Sequence, residues 1–338
     1  MDLEELNRVA NAMVTPGKGL LAADESAGTI KKRFEVIGVE CTEDNRRDYR
    51  ELLFRSKGMA NISGVILFDE TIRQKAKDGT PLVKIIEQAG ALPGIKVDRG
   101  THPLPFCPGE VVTEGLDGLR ERLIEYRGLG AKFAKWRSVI NIGAGIPTYA
   151  CVNANAHALA RYAALCQDQD IVPIVEPEVL MDGDHDVDRC AEVTEFVLKT
   201  VYEQLYYARV KLEGAVLKPN MVVAGKKCAR QTSVAQVAEK TIRVLKECVP
   251  AAVPGIAFLS GGQSDLDATA RLDAMNKIGG LPWKLSFSFS RALQAAPQKA
   301  WSGKAENVPA AQQAFGHRAQ MNGLASLGQW KPELEHAG

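Results

Sequence analysis

Three stretches of this sequence each carry two ionisable residues two positions apart. They are Lys96 and Asp98 in GIKVDRG, Lys135 and Arg137 in KFAKWRS, and Glu176 and Glu178 in IVPIVEPEV. Alternate residues of an extended strand share a face, so each stretch would present its pair on one side. Charges of both signs gathered this way suit proton transfer and the holding of anionic substrates. A further lysine stands at a costlier place. Lys218 ends the apolar run Ala215-Val216-Leu217 and is followed by Pro219. Proline biases the preceding residue towards extended geometry and offers no ladder donor, so Lys218 is expected at the strand's last paired position. An amine among apolar walls loses hydration, which disfavours its charged form. A lysine that is neutral part of the time is a nucleophile and forms Schiff bases with carbonyl substrates. The plainer alternative is a lysine that extends its amine out of the strand end into water.

Phosphate recognition has its own signal. Leu259-Ser260-Gly261-Gly262 closes one apolar run, and Ser264 with Asp267 reads as a capping box for the helix that follows. Glycines let backbone N–H groups approach an anion at a helix N-terminus. Ser288, Ser290 and Arg291 close the next run. Arg137 is a further candidate cation. Near the start of the chain, Asp24 ends an apolar run, and Ser26, Thr29, Lys32 and Arg33 behind it are expected to grip a second phosphate at the opposite rim.

These residues need elements to position them. Eight short apolar runs end in polar or charged residues: 19–26, 64–70, 94–100, 132–138, 171–179, 214–220, 255–262 and 285–291. Helix-like segments lie between most of them, as at 116–128, 155–169, 187–213 and 264–276. Successive run ends lie 28 residues apart at the closest, Ser260 to Ser288, and 45 at the widest, Asp24 to Asp69. That is the cadence of repeated βα units, and eight of them imply an α/β fold, a single (β/α)₈ TIM barrel spanning 1–338. A doubly wound open sheet is the runner-up, but no G-x-G-x-x-G follows the first run. Leu3, Leu6, Ala10 and Met13 at helical spacing give an N-terminal helix stopped by Pro16-Gly17. Pro309–Leu327 reads as an extra C-terminal helix outside the barrel, and 329–338 as a flexible polar tail. In a barrel, the charged strand ends would meet at one mouth.

Composition bounds the function. The chain has 338 residues, 46% hydrophobic and 25% charged, as ordinary globular proteins do. Lys+Arg 42 against Asp+Glu 41 gives a net charge of +1, so no bulk field draws in nucleic acid or anionic lipid. No signal-peptide core and no spanning apolar run are present, so no membrane association is expected. Seven cysteines without a CxxC argue against a disulfide framework and fit a reducing cytoplasm. Five histidines, isolated at His102, His157, His185, His317 and His336, lack metal-ligand spacing. The acidic stretch DGDHDVD (182–188) lacks the length and closing glutamate of a calcium loop and reads as solvated. No metal and no cofactor are expected.

Taken together, these residues resemble the class I, Schiff-base fructose-1,6-bisphosphate aldolase family. The likeness runs from Leu21-Ala22-Ala23-Asp24-Glu25-Ser26 to Trp330 and is most specific at Glu213–Met221, EGAVLKPNM. The resemblance implies that Lys218 forms the imine and that Glu176 shuttles protons while the carbinolamine dehydrates. Lys135 would tune Glu176, and Asp24 would assist at the hydroxyl whose deprotonation triggers C–C cleavage. Glu178 would orient Lys218. It further implies that Ser260, Gly261, Ser290 and Arg291 hold the one-phosphate, and that the six-phosphate lies towards Ser26, Thr29, Lys32, Arg33 and Lys96. A homotetramer is the usual assembly of that family.

Three residues depart from the pattern. Thr29 replaces the serine common in animal members and keeps the hydroxyl. Ser290 stands where the family usually has glycine, which would crowd a backbone donor to phosphate. The family also ends in a tail with a terminal tyrosine, whereas the last tyrosine here is Tyr207. The expectation is that the natural chain continues, or that Glu176 or water protonates the enamine less well. Two rivals remain at this point. Another Schiff-base barrel enzyme, such as a transaldolase or deoxyribose-phosphate aldolase, would not need two phosphate grips. A barrel kept only as a binding scaffold would form no imine. The metal-free expectation is directly testable: cleavage of fructose 1,6-bisphosphate should survive exhaustive EDTA treatment. Loss of activity restored by zinc would contradict the lysine-based reading.

Overall fold

The computed structural model describes residues 1–336. Eight parallel strands close into a barrel: β1 (Gly19–Ala23), β2 (Ile62–Leu67), β3 (Leu92–Lys96), β6 (Phe133–Ile140), β7 (Val172–Val179), β8 (Val216–Leu217), β9 (Gly255–Phe258) and β10 (Lys284–Phe289). They follow one another around the ring in chain order, and β10 pairs with β1 to close it. Helices follow each of these strands on the outside, among them 149–168 after β6, 187–207 after β7 and 234–248 after β8. A short antiparallel hairpin, β4 (Thr101–Pro103) with β5 (Val111–Thr113), is inserted before β6. The expected (β/α)₈ barrel is the observed architecture.

Most strands stop before the charged residues assigned to their ends. β1 ends at Ala23, one residue short of Asp24, and β9 ends at Phe258, short of Ser260. β3 keeps Lys96 as its last residue, and β6 and β7 run past their charged residues. They pair over eight registered positions, Phe133↔Val172 to Ile140↔Val179, so Lys135, Arg137, Glu176 and Glu178 lie inside the ladder. The helix expected to reach 213 ends at Tyr207, and Arg209 then turns through φ +59.

Two apolar layers fill the molecule. One lies between the strands and the outer helices. The other is the barrel interior, where Leu20, Ala22, Ile66, Phe133, Ile174, Val216 and Ala257 converge. The N-terminal helix Leu3–Met13 plugs the bottom of that interior with Leu6, Val9, Ala10 and Met13. The apolar spacing that marked this helix is therefore its barrel-facing stripe. Its N-cap Asp2 accepts from the Glu5 N–H at 3.1 Å.

At the other end of the chain, helix 308–325 packs outside the barrel as expected. The segment expected to be a flexible tail is fastened as far as His336. Trp330 is buried and donates from Nε1 to Glu335 at 2.9 Å, and Glu335 pairs with the buried Arg318. An apolar tryptophan and a carboxylate opposite a buried guanidinium hold the segment down. Residues 337–338 lie outside the described residues. No helix among the described residues is long and apolar enough to cross a membrane.

The interior is packed around Phe133. A methyl on Gly94 would sit 2.2 Å from its Cε2. Gly94→Ala should therefore destabilise the fold by about 1–3 kcal/mol, the usual cost of overpacking, read as a lower urea-unfolding midpoint. An unchanged midpoint would mean that the Phe133 ring yields freely.

Candidate active site

The site is built at the upper end of the barrel, directly above that apolar floor. On β6 the inward parity runs through Phe133 and Lys135, and on β7 it runs through Val172, Ile174 and Glu176. The same alternation that fills the floor with Phe133 and Ile174 thus turns Lys135 and Glu176 to the interior above it. Lys218 is where the proline argument put it. Its N–H makes the last ladder bond, to the Val175 carbonyl at 2.8 Å, and the residue is buried at 4% exposure. Its Nζ lies 3.2 Å from Glu176 Oε1. Lys135 Nζ lies 3.4 Å from Glu176 Oε2 and 2.7 Å from Asp24 Oδ2. One chain of alternating charge, Asp24–Lys135–Glu176–Lys218, therefore crosses the mouth between β1 and β8. Glu176 Oε2 is buried and has no hydrogen-bond donor.

Electrostatics follow from this arrangement. Burial works to raise the Asp24 carboxyl, but the ammonium groups of Lys135 and Lys218 outweigh it and hold it down to about 2. Burial works against the Lys135 ammonium, and Asp24, Glu176 and Asp98 overcome it, so Lys135 is held above the ordinary lysine range. Arg137, half-buried beside Glu178 and Glu176, is likewise held above its ordinary value. The other expected pairs are also present. Lys96 Nζ meets Asp98 Oδ1 at 2.7 Å, and Arg137 pairs with Glu178. Glu178 does not touch Lys218 through a recorded bond; its oxygen lies near Gly261, 3.7 Å from where a Cβ would stand.

Two adjoining cavities open here, of 750 and 440 Å³. The smaller holds Lys218, Glu176, Glu178, Lys32, Ser260, Gly261, Ser288 and Arg291. The larger holds Ser26 and Lys96, and both share Asp24, Thr29, Arg33, Lys135, Arg137 and Ser290. Gly262 lines neither, but it sits against Arg291, and both Gly261 and Gly262 adopt left-handed φ values of +58 and +87. Ser260 and Ser288 are buried, and Ser288 Oγ has no partner. Ser264 Oγ caps helix 265–278 by accepting from the Asp267 N–H at 3.0 Å. The expected box is incomplete, because the Asp267 carboxylate accepts from the Ser264 hydroxyl rather than its N–H.

One expectation fails outright. The two phosphate grips are not on opposite rims, because closure places β1 beside β10. Arg33 Nη2 donates to Ser290 Oγ at 2.9 Å, joining the first grip to the second. The Ser290 hydroxyl in turn faces Glu25 Oε1 at 3.2 Å, so the hydroxyl is engaged with the wall. Sequence reasoning also missed what supports Arg33. Glu25 is buried, pairs with Arg33 and accepts from Gln294 Nε2 at 2.7 Å, with Arg50 behind it. No spacing rule links residues 25, 50 and 294; only barrel closure does. The acidic stretch at 182–188 is not wholly solvated either. His185 is buried, and Asp182 pairs with Lys226 at 2.8 Å. Among the described residues, no three His, Cys, Asp or Glu side chains converge as metal ligands.

Comparison with known proteins places the whole chain beside one family. A family model described as fructose-bisphosphate aldolase class-I matches residues 5–338. A probable fructose-bisphosphate aldolase class 1 of Xanthomonas campestris is 58% identical over 98% of this chain and the whole of that protein. Fructose-bisphosphate aldolase 6, cytosolic, of Arabidopsis thaliana is 54% identical over 97% of this chain and 92% of its own length. A solved fructose-bisphosphate aldolase of Plasmodium falciparum, crystallised with TRAP and a small-molecule inhibitor, superposes with a TM-score of 0.96. It shares 49% identity and covers 97% of this chain and 96% of that one. With a family model matching nearly the whole chain and relatives more than half identical along its length, this chain belongs to the class I fructose-bisphosphate aldolase family.

Proposed function

We propose that this chain cleaves fructose 1,6-bisphosphate reversibly to dihydroxyacetone phosphate and glyceraldehyde 3-phosphate through a Schiff base on Lys218, in glycolysis and gluconeogenesis. The observation that carries the reading is the buried Lys218 Nζ at 3.2 Å from Glu176, in a cavity that also holds Ser260, Gly261 and Arg291. The lysine attacks the ketone carbon and forms a carbinolamine. Glu176, within reach of the reacting nitrogen, takes the ammonium proton and returns one to the departing hydroxyl, which leaves as water. The iminium then accepts the electron pair of the breaking C3–C4 bond, while Glu176, left anionic once its proton has gone to the departing water, takes the C4 hydroxyl proton and the aldehyde departs. Glu176 or a water then protonates the remaining enamine at carbon, and hydrolysis of the imine by water releases dihydroxyacetone phosphate and the free Lys218 amine.

The other residues follow from their positions. A carboxyl held at about 2 is a weak base, so Asp24 stays anionic and serves best to orient and polarise the C4 hydroxyl. Lys135 holds Asp24 and Glu176 in place together. Glu178 fixes Arg137, and through the Gly261 turn it bears on the phosphate side rather than directly on Lys218. Ser260, Gly261, Gly262, Ser288, Ser290 and Arg291 suit one phosphate, while Ser26, Thr29, Lys32, Arg33 and Lys96 suit the other. The homotetramer implied by the resemblance is the assembly we propose. The cytosolic Arabidopsis relative supports the cytoplasm as its compartment.

An assay coupled to triose-phosphate reduction should show cleavage of fructose 1,6-bisphosphate, and its absence would remove the reading. Glu176→Gln should slow imine formation and hydrolysis by roughly 10²-fold or more, since acid–base groups contribute about that much. A variant that forms imine at the wild-type rate would take Glu176 out of the role. The pH profile tests Lys135. Because Lys135 is the largest of the attractions that depress Asp24, Lys135→Met leaves burial less opposed and raises that carboxyl. Asp24 then protonates at higher pH, so the acid limb of kcat/KM moves upward. An unmoved limb would separate Asp24 from Lys135.

A further inference from the structure

The loop after β8 brings a further cation to the phosphate side. Three backbone bonds lock it to the loop after β7: Gly225 N–H to His185 O at 2.8 Å, Lys226 N–H to Met181 O at 2.7 Å, and Lys227 N–H to Gly183 O at 3.0 Å. The approach requires glycine, because a Cβ on Gly225 would stand 2.2 Å from the Gly183 carbonyl oxygen. Fixed in this way, Lys226 reaches across to the turn after β9. A methyl on Gly262 would lie 2.7 Å from Lys226 Nζ and 2.7 Å from Arg291 Nη2. Two cations, from different loops, therefore crowd the same glycine.

Like charges brought this close repel, and the arrangement is stable when an anion lies between them. Among the described residues, Arg291 has no carboxylate within salt-bridge distance. The recorded partner of Lys226 is Asp182 at 2.8 Å, in a pair whose side chains are 40% and 62% exposed. An exposed pair of this kind is weak and readily exchanged. Ser260 and the left-handed Gly261 complete the cradle.

Resting on the aldolase reading, we propose that Lys226 is a binding residue for the substrate's one-phosphate, and that the phosphate replaces Asp182 as its partner. Lys226 then shares the dianion with Arg291, each from its own loop, and Asp182 is a built-in competitor that lowers affinity.

Steady-state kinetics and titration with inorganic phosphate test this. Lys226→Met should raise KM for fructose 1,6-bisphosphate and for fructose 1-phosphate alike, by on the order of tenfold, the usual worth of a charge-assisted bond, with kcat little changed. Calorimetric affinity for inorganic phosphate should fall in parallel. Lys226→Arg should restore most of both, and Asp182→Asn should lower KM. Lys227→Met, which removes a charge from the neighbouring exposed residue, should do neither. Wild-type cleavage judges the aldolase reading by itself; the ratio of variant to wild type judges Lys226. An unchanged KM and phosphate affinity in Lys226→Met would overturn the proposal. So would a loss confined to the bisphosphate, or an equal loss in Lys227→Met.

Discussion

The buried ammonium of Lys135 is the contact on which the rest of this site depends. It comes from β6 inside the barrel and meets Asp24, just beyond β1, and Glu176 on β7. Both carboxylates stand above an apolar floor of Phe133, Ile174 and Val216. Charges taken out of water at such a place cost several kcal/mol each unless paired, and removing one partner of a buried pair costs about 3–5 kcal/mol. The barrel must therefore close in one register for the charges to be tolerated at all. That same closure aligns Glu176 with Lys218, whose backbone N–H bonds the Val175 carbonyl. Packing and chemistry share one geometric condition.

The apolar floor beneath these charges sets how strongly they interact. Leu6, Val9, Ala10 and Met13 of the N-terminal helix seal the lower end of the barrel. They keep water from entering beneath Lys218 and Glu176, so the charges above interact across a poorly screened interior. Access is left to the upper end, where the two cavities meet at Asp24, Arg33, Lys135 and Arg137.

What could be read from the sequence was what depends on local parity. Lys135 with Arg137, and Glu176 with Glu178, were legible because two-residue spacing in a strand fixes a common face. Lys218 was legible because Pro219 fixes the end of the ladder. What escaped was set by closure. Nothing within Ser26–Arg33 announces that β10 lies alongside, so the two phosphate grips were expected on opposite rims, whereas Arg33 donates to Ser290. The Glu25–Gln294 bond and the β4–β5 hairpin had no periodic signal. The tail misled because its polar composition hides one buried tryptophan and one carboxylate matched to Arg318. The acidic loop misled similarly, since its charges are outward while its backbone docks the loop that carries Lys226.

Lys218 is the proposed covalent nucleophile, and reductive trapping reads it directly. The protein is incubated with dihydroxyacetone phosphate and borohydride, digested, and the peptides are weighed. One modified peptide is expected, carrying the reduced adduct on Lys218. Labelling at Lys135 or Lys96, or no adduct with an enzyme that still cleaves its substrate, would contradict it.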